Sequence, residues 1–197
     1  RLPRAIRDVY KRQVLPDYPD LKVEITIDYG LADIVAERYD IGIRLGDQVA
    51  KDMIAVPISP RQRMAVVAAP SYFVHHTIPA VPAELAQHNC ISLRLPTHGG
   101  LLPWDFEKDG REQKVRVDGQ WTFNGSSAML RAALAGAGLA FLPETMVLDH
   151  IAAGRLRRVL DDWCDPFDGY YAYYPSRRQS SAALKVVIDA LRHDLVR

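Results

Sequence analysis

The alternation of apolar and polar residues divides the first third of the chain into short strands and helices. Residues 22–27 alternate strictly, which predicts a strand with one buried face, and residues 31–38 predict a short helix. Apolar runs at 39–45, 53–58 and 64–69 predict three further strands. Strands that alternate with helices favour a mainly parallel sheet with helices on its faces.

A second group of elements follows Pro70, which lacks the N–H that a strand would need to continue there. Asp109 and Gly110 predict the turn of a β-hairpin, and Gly136 and Gly154 are placed to end helices. The predicted elements are a helix at 82–88, a strand at 90–95, the hairpin at 104–118, a strand at 120–123, a helix at about 124–135, a strand at 139–142, a helix at 143–154 and a strand at 156–160.

The last part of the chain predicts a strand at 170–174 and an amphipathic helix. The helix carries an apolar stripe at helical spacing, formed by Leu184, Val187, Ile188, Leu191 and Leu195. This stripe needs a sheet to cover, and we expect it to cover the first one, because the second unit already carries helices. The fold predicted is therefore α/β with two Rossmann-like lobes and a hinge: lobe I from 1–69 plus 168–197, and lobe II from 70–167.

Composition and charge exclude several classes of protein. The 197 residues include 25 basic and 24 acidic side chains, so a nucleic-acid surface on this segment is disfavoured. The two cysteines lie far apart and predict buried free thiols, with neither a zinc site nor a disulfide scaffold. No apolar run approaches the length needed to span a membrane, and the first residues do not form a signal peptide, so the expected location is the cytoplasm.

Fragments that resemble catalytic motifs each lack a required residue. The glycines at 136 and 138 begin like a dinucleotide fingerprint, but Phe141 stands where the third glycine belongs, and a helix end explains them better. Ser127 follows a strand, but Met129 replaces the last glycine of a nucleophile elbow. His75 and His76 have no partner ligand at helical spacing. We therefore predict no catalytic residues, no metal and no cofactor.

What remains is binding chemistry at the ends of predicted strands. Asn124, Gly125, Ser126 and Ser127 open a helix, where backbone N–H groups favour an anion such as a carboxylate, although ordinary helix capping is an alternative. Arg44 and Arg94 each end a buried strand, where α/β sheets bind ligands. They could hold a carboxylate bidentately or form structural salt bridges.

An ordered series of short motifs resembles a known family. The series is Tyr39–Gly46 (YDIGIRLG), Asp52–Val56 (DMIAV), Val67–Pro70 (VAAP) with Tyr72, Asn124 with Met129, Gly138–Phe141 (GLAF) with Pro143, Gly154 to Leu160 with Asp162 and Trp163, and Tyr173–Leu184. Together they resemble the effector-binding domain of LysR-type transcriptional regulators, closest to the CrgA-like branch, over about residues 18–195.

The resemblance implies a fold like type 2 periplasmic binding proteins, with a small effector, often a carboxylate or aromatic acid, held in an interlobe cleft. We expect polar contacts from Arg44, Arg94, Asn124, Ser126 and Ser127. Leu45, Gly46, Gly125, Phe141 and Pro143 are expected to shape the pocket. The resemblance also implies a homodimer, which becomes a tetramer in the full-length protein, and DNA binding only through an N-terminal winged helix-turn-helix.

The resemblance further implies that this chain is truncated at its N-terminus, without the DNA-binding part and the first strand of lobe I. The hexapeptide at 8–13 equals the translation of a transposase sequencing adapter, so our hypothesis is that residues up to about Gln13 are partly an assembly artefact joined to a truncated gene. One alternative function is an extracytoplasmic solute-binding protein of a transporter, which shares the lobes. An enzyme is the more distant alternative.

Overall fold

The structure is a computed structural model that describes residues 14–27, 33–45, 49, 52–95, 99–175 and 181–192. The chain divides into two compact units. One unit comprises Arg63–Pro166, and the other combines the chain before Arg63 with the chain from Phe167 onwards. Strand 64–68 belongs to the first of these units, so the division falls at Gln62 and Arg63 instead of after Ala69, where sequence analysis expected it.

The unit 63–166 is built on a five-stranded mixed sheet. Its strand order is β7–β4–β8–β3–β9, where β3 is Met64–Ala68, β4 is Cys90–Leu93, β7 is Thr122–Phe123, β8 is Leu139–Pro143 and β9 is Arg157–Val159. Strand β4 runs parallel to β7 and to β8, whereas β3 is antiparallel to β8 and to β9. The C-terminal ends of β4, β7, β8 and β9 therefore lie together at one end of the sheet, which we name the carboxyl edge. The opposite end, where these four strands begin, is the amino edge.

Two apolar layers cover the two faces of this sheet, because alternate residues of a strand point to opposite sides. On one face, Ala140 and Leu142 pack against helix α2 (Ser126–Leu134) and helix α3 (Glu144–Ala152). On the other face, Leu139 and Phe141 pack against the hairpin of β5 (Trp104–Lys108) and β6 (Arg111–Val115). That face also contacts 3-10 helices at Tyr72–Val74, Pro82–Gln87 and Asp161–Trp163.

The structure confirms the predicted hairpin turn and the predicted ends of two helices. Asp109 and Gly110 both have positive φ (53° and 73°), as a two-residue type I′ hairpin turn requires. Helix α2 ends in a left-handed Gly136, with Ala137 N–H donating to Ala132 O, a Schellman ending. Helix α3 ends in the same way at Gly154.

The other unit contains a three-stranded sheet with the order β1–β10–β2. Strand β1 is Gly42–Leu45, β2 is Met53–Pro57 and β10 is Tyr170–Pro175. Helix α4 (Ala182–Arg192) buries Leu184, Ile188 and Leu191, and Leu191 packs with Ile58 and Ala172 of this unit. The prediction that the last helix covers the first sheet is therefore confirmed for its described residues; Leu195 lies outside them.

Three expectations for the first seventy residues are wrong. Both pairings in the three-stranded sheet are antiparallel, because β10 returns from the far end of the chain to pair between β1 and β2. Residues 22–27 form no strand and their side chains are exposed, since no neighbouring described strand pairs with them. Residues 34–38 form only a turn, and helix α1 (Val14–Asp17) is a single turn before them.

Candidate functional site

The carboxyl edge of the five-stranded sheet brings most of the predicted binding residues together. Arg94 directly follows β4, and its backbone N–H donates to the Phe123 carbonyl at the end of β7, at 2.7 Å. Asn124 and Gly125 then lead into helix α2. Pro143 ends β8, which is parallel to β4, so it lies at the same edge. These groups come from three neighbouring strand ends, the place where α/β sheets bind ligands.

Helix α2 presents its N-terminus at this edge. Gly125 is the N-cap, in an extended conformation, and its carbonyl accepts the N–H groups of Ala128 and Met129 at 3.2 and 3.4 Å. Since glycine has no side chain, the hydroxyl or amide cap expected from the polar residues at 124–127 is not made at this position. The first turn, with Ser126 and Ser127, therefore keeps the positive end of the helix dipole directed at the edge.

Arg94 is exposed, and its guanidinium donates to the Gly99 carbonyl in the loop after β4. The partner is thus a backbone carbonyl, and the contact uses one of the five N–H donors that a guanidinium carries. Arg44 lies in β1 of the other unit, where its guanidinium is 5.7 Å from the centre of the Tyr173 ring. Burial raises the pKa of Tyr173, and the charge of Arg44 opposes that shift.

The remaining predicted residues have different surroundings. Leu45 is half-buried at the end of β1, and Gly46 lies outside the described residues. Phe141 is 8% exposed, and its ring centre lies 5.4 Å from those of Trp104 and Phe106. Its ring therefore belongs to the hydrophobic core, and its role in shaping a ligand pocket stays a prediction.

A network of charged side chains at the carboxyl edge was missed by sequence reasoning. Arg158 contacts Glu144, and its second guanidinium nitrogen lies 3.0 Å from Asp161. Arg63 lies 2.9 Å from the same Asp161 carboxylate and 3.7 Å from Glu144. No motif in the sequence marks these four residues as a group. Arg63 precedes β3, Glu144 follows β8, and Arg158 and Asp161 lie in and after β9, and these strands become neighbours only in the folded sheet.

A further ion pair joins the hairpin to the end of β9. Lys108 contacts Asp162 and lies 5.1 Å from the centre of the Trp163 ring. The hydrogen bond between Lys108 and Asp162 raises the pKa of the Lys108 ammonium group and lowers the pKa of the Asp162 carboxyl. Both side chains are well exposed, so we expect this pair to contribute little to stability.

The amino edge of the sheet holds a depression of about 680 Å³ that sequence analysis did not predict. Its polar side chains come from Tyr72, His76, His88, Asn89, Asp118 and Gln120, and the rest of its lining from Ala86, Gly119, Gly136 and Ala137. Burial lowers the pKa of His88 and raises that of Tyr72. This depression and the predicted effector site lie at opposite edges of one sheet.

The part of the chain that the structure describes also contains two buried thiols. No group of three or more His, Cys, Asp or Glu side chains could hold a metal ion among the described residues. Cys90 and Cys164 are free and buried, and burial raises their thiol pKa values to about 12 and about 11. No helix within the described ranges is long and apolar enough to cross a membrane.

Comparison with protein families finds one match that covers nearly the whole chain. The model of the LysR substrate binding domain matches residues 2–196. A protein of Pseudomonas aeruginosa assigned as a transcriptional regulator is 57% identical over 180 residues, which is 91% of this chain and 59% of that protein. The HTH-type transcriptional regulator PgrR of Escherichia coli is 41% identical over 92% of this chain and 61% of its own length. The chain thus spans about three fifths of the curated relatives it matches.

Solved structures with low sequence identity share the fold. The regulatory domain of CrgA from Neisseria meningitidis has a TM-score of 0.78 at 23% identity, over 98% of this chain and 93% of that domain. The regulatory domain of an AphB variant from Vibrio vulnificus has a TM-score of 0.80 at 23% identity, over 94% of this chain and 90% of that domain. These similarities confirm the predicted α/β fold class and its likeness to the CrgA regulatory domain.

Proposed function

Because this chain belongs to the family of LysR substrate-binding domains, we propose that its carboxyl edge binds a small carboxylate-bearing effector. The relatives are transcriptional regulators, so the alternative of a transporter's solute-binding protein is set aside. The observation that carries the proposal is the meeting of Arg94, residues 124–127 and Pro143 at the ends of three adjacent strands.

The chemistry of this edge matches a carboxylate. A helix N-terminus offers backbone N–H groups and a positive dipole, and a guanidinium offers paired N–H donors for the two oxygens. Arg94 is exposed and its backbone is fixed beside Phe123, so its guanidinium, which donates to the Gly99 carbonyl, starts at the edge where we propose that the ligand binds. Arg44, Leu45 and Gly46 belong to the other unit, and their part in effector binding stays a prediction.

Titration with 4-hydroxyphenylacetate, benzoate and succinate, followed by amide resonances in NMR spectra, tests this proposal. At least one carboxylate is expected to shift the resonances of residues 124–127, whereas its neutral amide is not. Arg94→Ala should weaken that binding about tenfold or more, since hydrogen bonds to a charged group contribute about 1.5–3 kcal/mol. The matched control is Arg111→Ala, an exposed arginine on the hairpin. Equal affinity for Arg94→Ala and the unchanged chain would contradict the site.

For the longer protein we propose a cytoplasmic regulator that dimerises through this domain and contacts DNA through an N-terminal winged helix-turn-helix, as a tetramer at full length. Two observations support this: PgrR is named as an HTH-type regulator, and the chain covers 61% of it. Trp121, which is half exposed and directly precedes edge strand β7, gives the domain an apolar surface for a second copy. Light scattering measures the oligomeric state of the chain.

We also propose that the domain performs no chemistry on its effector. The relatives are transcriptional regulators, and the motif fragments in the sequence each lack a required residue, which supports this. A turnover assay on any carboxylate that binds in the titration tests it, and conversion of that compound would overturn it.

A further inference from the structure

We propose that the depression at the amino edge is a second binding site, which takes a small aromatic amine that also carries an oxygen acceptor. This proposal goes beyond the effector site, because the two lie at opposite edges of the five-stranded sheet and differ in chemistry. It rests on three features of the depression: a stacked ring platform, a buried hydrogen-bonding atom without a partner, and the sign of the surrounding charge.

The ring platform is formed by Tyr72 and His76. Their ring centres are 4.0 Å apart and their planes differ by only 5°, so the exposed His76 ring covers one face of the buried Tyr72 ring. His76 is held there by the stacking and by a 2.8 Å hydrogen bond to the Tyr72 carbonyl. Because His76 is exposed, its ring can be displaced by a ligand ring that stacks on Tyr72 in the same way.

The buried polar atom is Nε2 of His88, a residue that is 7% exposed. The Tyr72 hydroxyl accepts the N–H of Asn89 at 3.0 Å and lies 3.2 Å from Nδ1 of His88. We infer that the hydroxyl donates its own proton to Nδ1. A neutral imidazole then carries its proton on Nε2. Nε2 is thus a buried donor without an acceptor, an arrangement that is unfavourable, and we place the oxygen of the ligand there.

The charge around the depression is negative. Asp118 lines it with an exposed carboxylate, and Glu84 lies close enough to His88 to act on its charge. Its described lining residues include neither lysine nor arginine. Burial and the neighbouring His76 both lower the pKa of His88, which keeps its imidazole neutral near pH 7. An ammonium group beside Asp118 is therefore favoured, and a carboxylate is disfavoured.

Titration of the 197-residue chain with three probes tests this inference. Tyramine has an ammonium group, an aromatic ring and a phenol oxygen; phenethylamine lacks the oxygen, and 4-hydroxyphenylacetate replaces the ammonium group by a carboxylate. We expect tyramine to shift the ring signals of His76 and His88 and the amide signals of Gly119 and Gln120, with saturation. Phenethylamine should bind more weakly, and 4-hydroxyphenylacetate should leave these signals unchanged.

Two variants with opposite expected effects make the test sharper. Asp118→Asn should weaken tyramine binding about three- to fivefold, because it removes one exposed charge pair. His76→Ala should strengthen it about threefold, because it removes the ring that competes for Tyr72. Both changes affect exposed side chains, and Asp105→Asn, an exposed carboxylate on the hairpin, is the matched control.

Several results would overturn the inference. Shifts that never saturate, equal binding of tyramine and 4-hydroxyphenylacetate at His76 and His88, or unchanged tyramine affinity in Asp118→Asn would each reject the site. Tyramine shifts confined to residues 124–127 would place amine binding at the carboxyl edge instead. The effector proposal is judged separately, by the response of residues 124–127 to carboxylates, so either proposal can fail without the other.

Discussion

The two edges of the five-stranded sheet are organised by different forces. At the carboxyl edge, Arg63, Glu144, Arg158 and Asp161 form a network of charges whose side chains remain 18–59% exposed. At the amino edge, neutral side chains bind backbone groups. Asn89 donates to the Ala137 carbonyl at 2.6 Å and accepts the Gln120 N–H at 2.8 Å.

This difference indicates a division of roles within one sheet. Hydrogen bonds from a side chain to backbone fix the positions of neighbouring segments, and salt does not screen them as it screens exposed charge pairs. Charged side chains on long flexible stems can exchange partners when a charged ligand arrives. We therefore expect the amino edge to hold its geometry and the carboxyl edge to respond to ionic conditions.

The largest effect is expected from Gly119→Ala at the amino edge. A Cβ at Gly119 would lie 2.1 Å from the carbonyl oxygen of Cys90, and the Cys90 N–H is held by the Asp118 carbonyl at 2.9 Å. The backbone has no room to yield, so we expect a loss of about 3 kcal/mol in the free energy of unfolding, measured in urea. Gly100→Ala, which meets open space near the carboxyl edge, is the control and should change little. A small effect of Gly119→Ala would show that the amino edge is adaptable.

A smaller effect, dependent on salt, is expected from Glu144→Gln at the carboxyl edge. This change removes the carboxylate that Arg158 contacts and that lies 3.7 Å from Arg63. We expect a loss of about 1 kcal/mol at low salt that falls only in part in 1 M NaCl, because the side chains of Arg158 and Glu144 are 18% and 25% exposed and salt screens a partly buried pair less than a fully exposed one. Asp149→Asn, on the exposed side of helix α3, serves as the control. An equal loss at both salt concentrations would mean that packing, and not charge, holds this edge.

The smallest effect is a change in pH dependence caused by His88→Gln. Burial lowers the pKa of His88 in the folded chain below the value of about 6.5 expected when unfolded. Its neutral form therefore contributes stability above about pH 6.5, and this contribution is lost as the pH falls below that value, since the unfolded chain binds the proton more readily. His88→Gln should make the free energy of unfolding less dependent on pH between 7.5 and 5.

The matched control is His75→Gln, which replaces an exposed histidine and leaves His88 and Tyr72 in place. A pH dependence equally steep in His88→Gln and in the unchanged chain would assign the acid sensitivity to other groups. It would also remove one of the reasons for regarding the amino edge as held together by hydrogen bonds from neutral side chains.

Most of the elements between residues 64 and 175 were predictable because their signals are local. The Asp109 and Gly110 turn needs two positive φ angles, and the glycines after helices α2 and α3 end them for the same backbone reason. The first part of the chain was less predictable: the alternation at 22–27 favoured a strand, but a strand needs a partner to pair with. The proposed binding residues at 124–127 were predicted from a strand that leads into a helix, whereas the contact of Arg94 with Gly99 depends on how the following loop turns.

By itself, the sequence of this protein determined its α/β class, its turns and helix ends, and its family, because each depends on residues close together in the chain or on their order. Only the tertiary structure decided that the sheet of β1, β10 and β2 is antiparallel, that Phe141 packs in the core, and that a stacked histidine and a buried imidazole lie at the amino edge. The physical reason is that pairing, burial and electrostatic environment depend on residues far apart in sequence, such as Tyr72 and His88 or Arg63 and Asp161, which become neighbours only when the sheet forms.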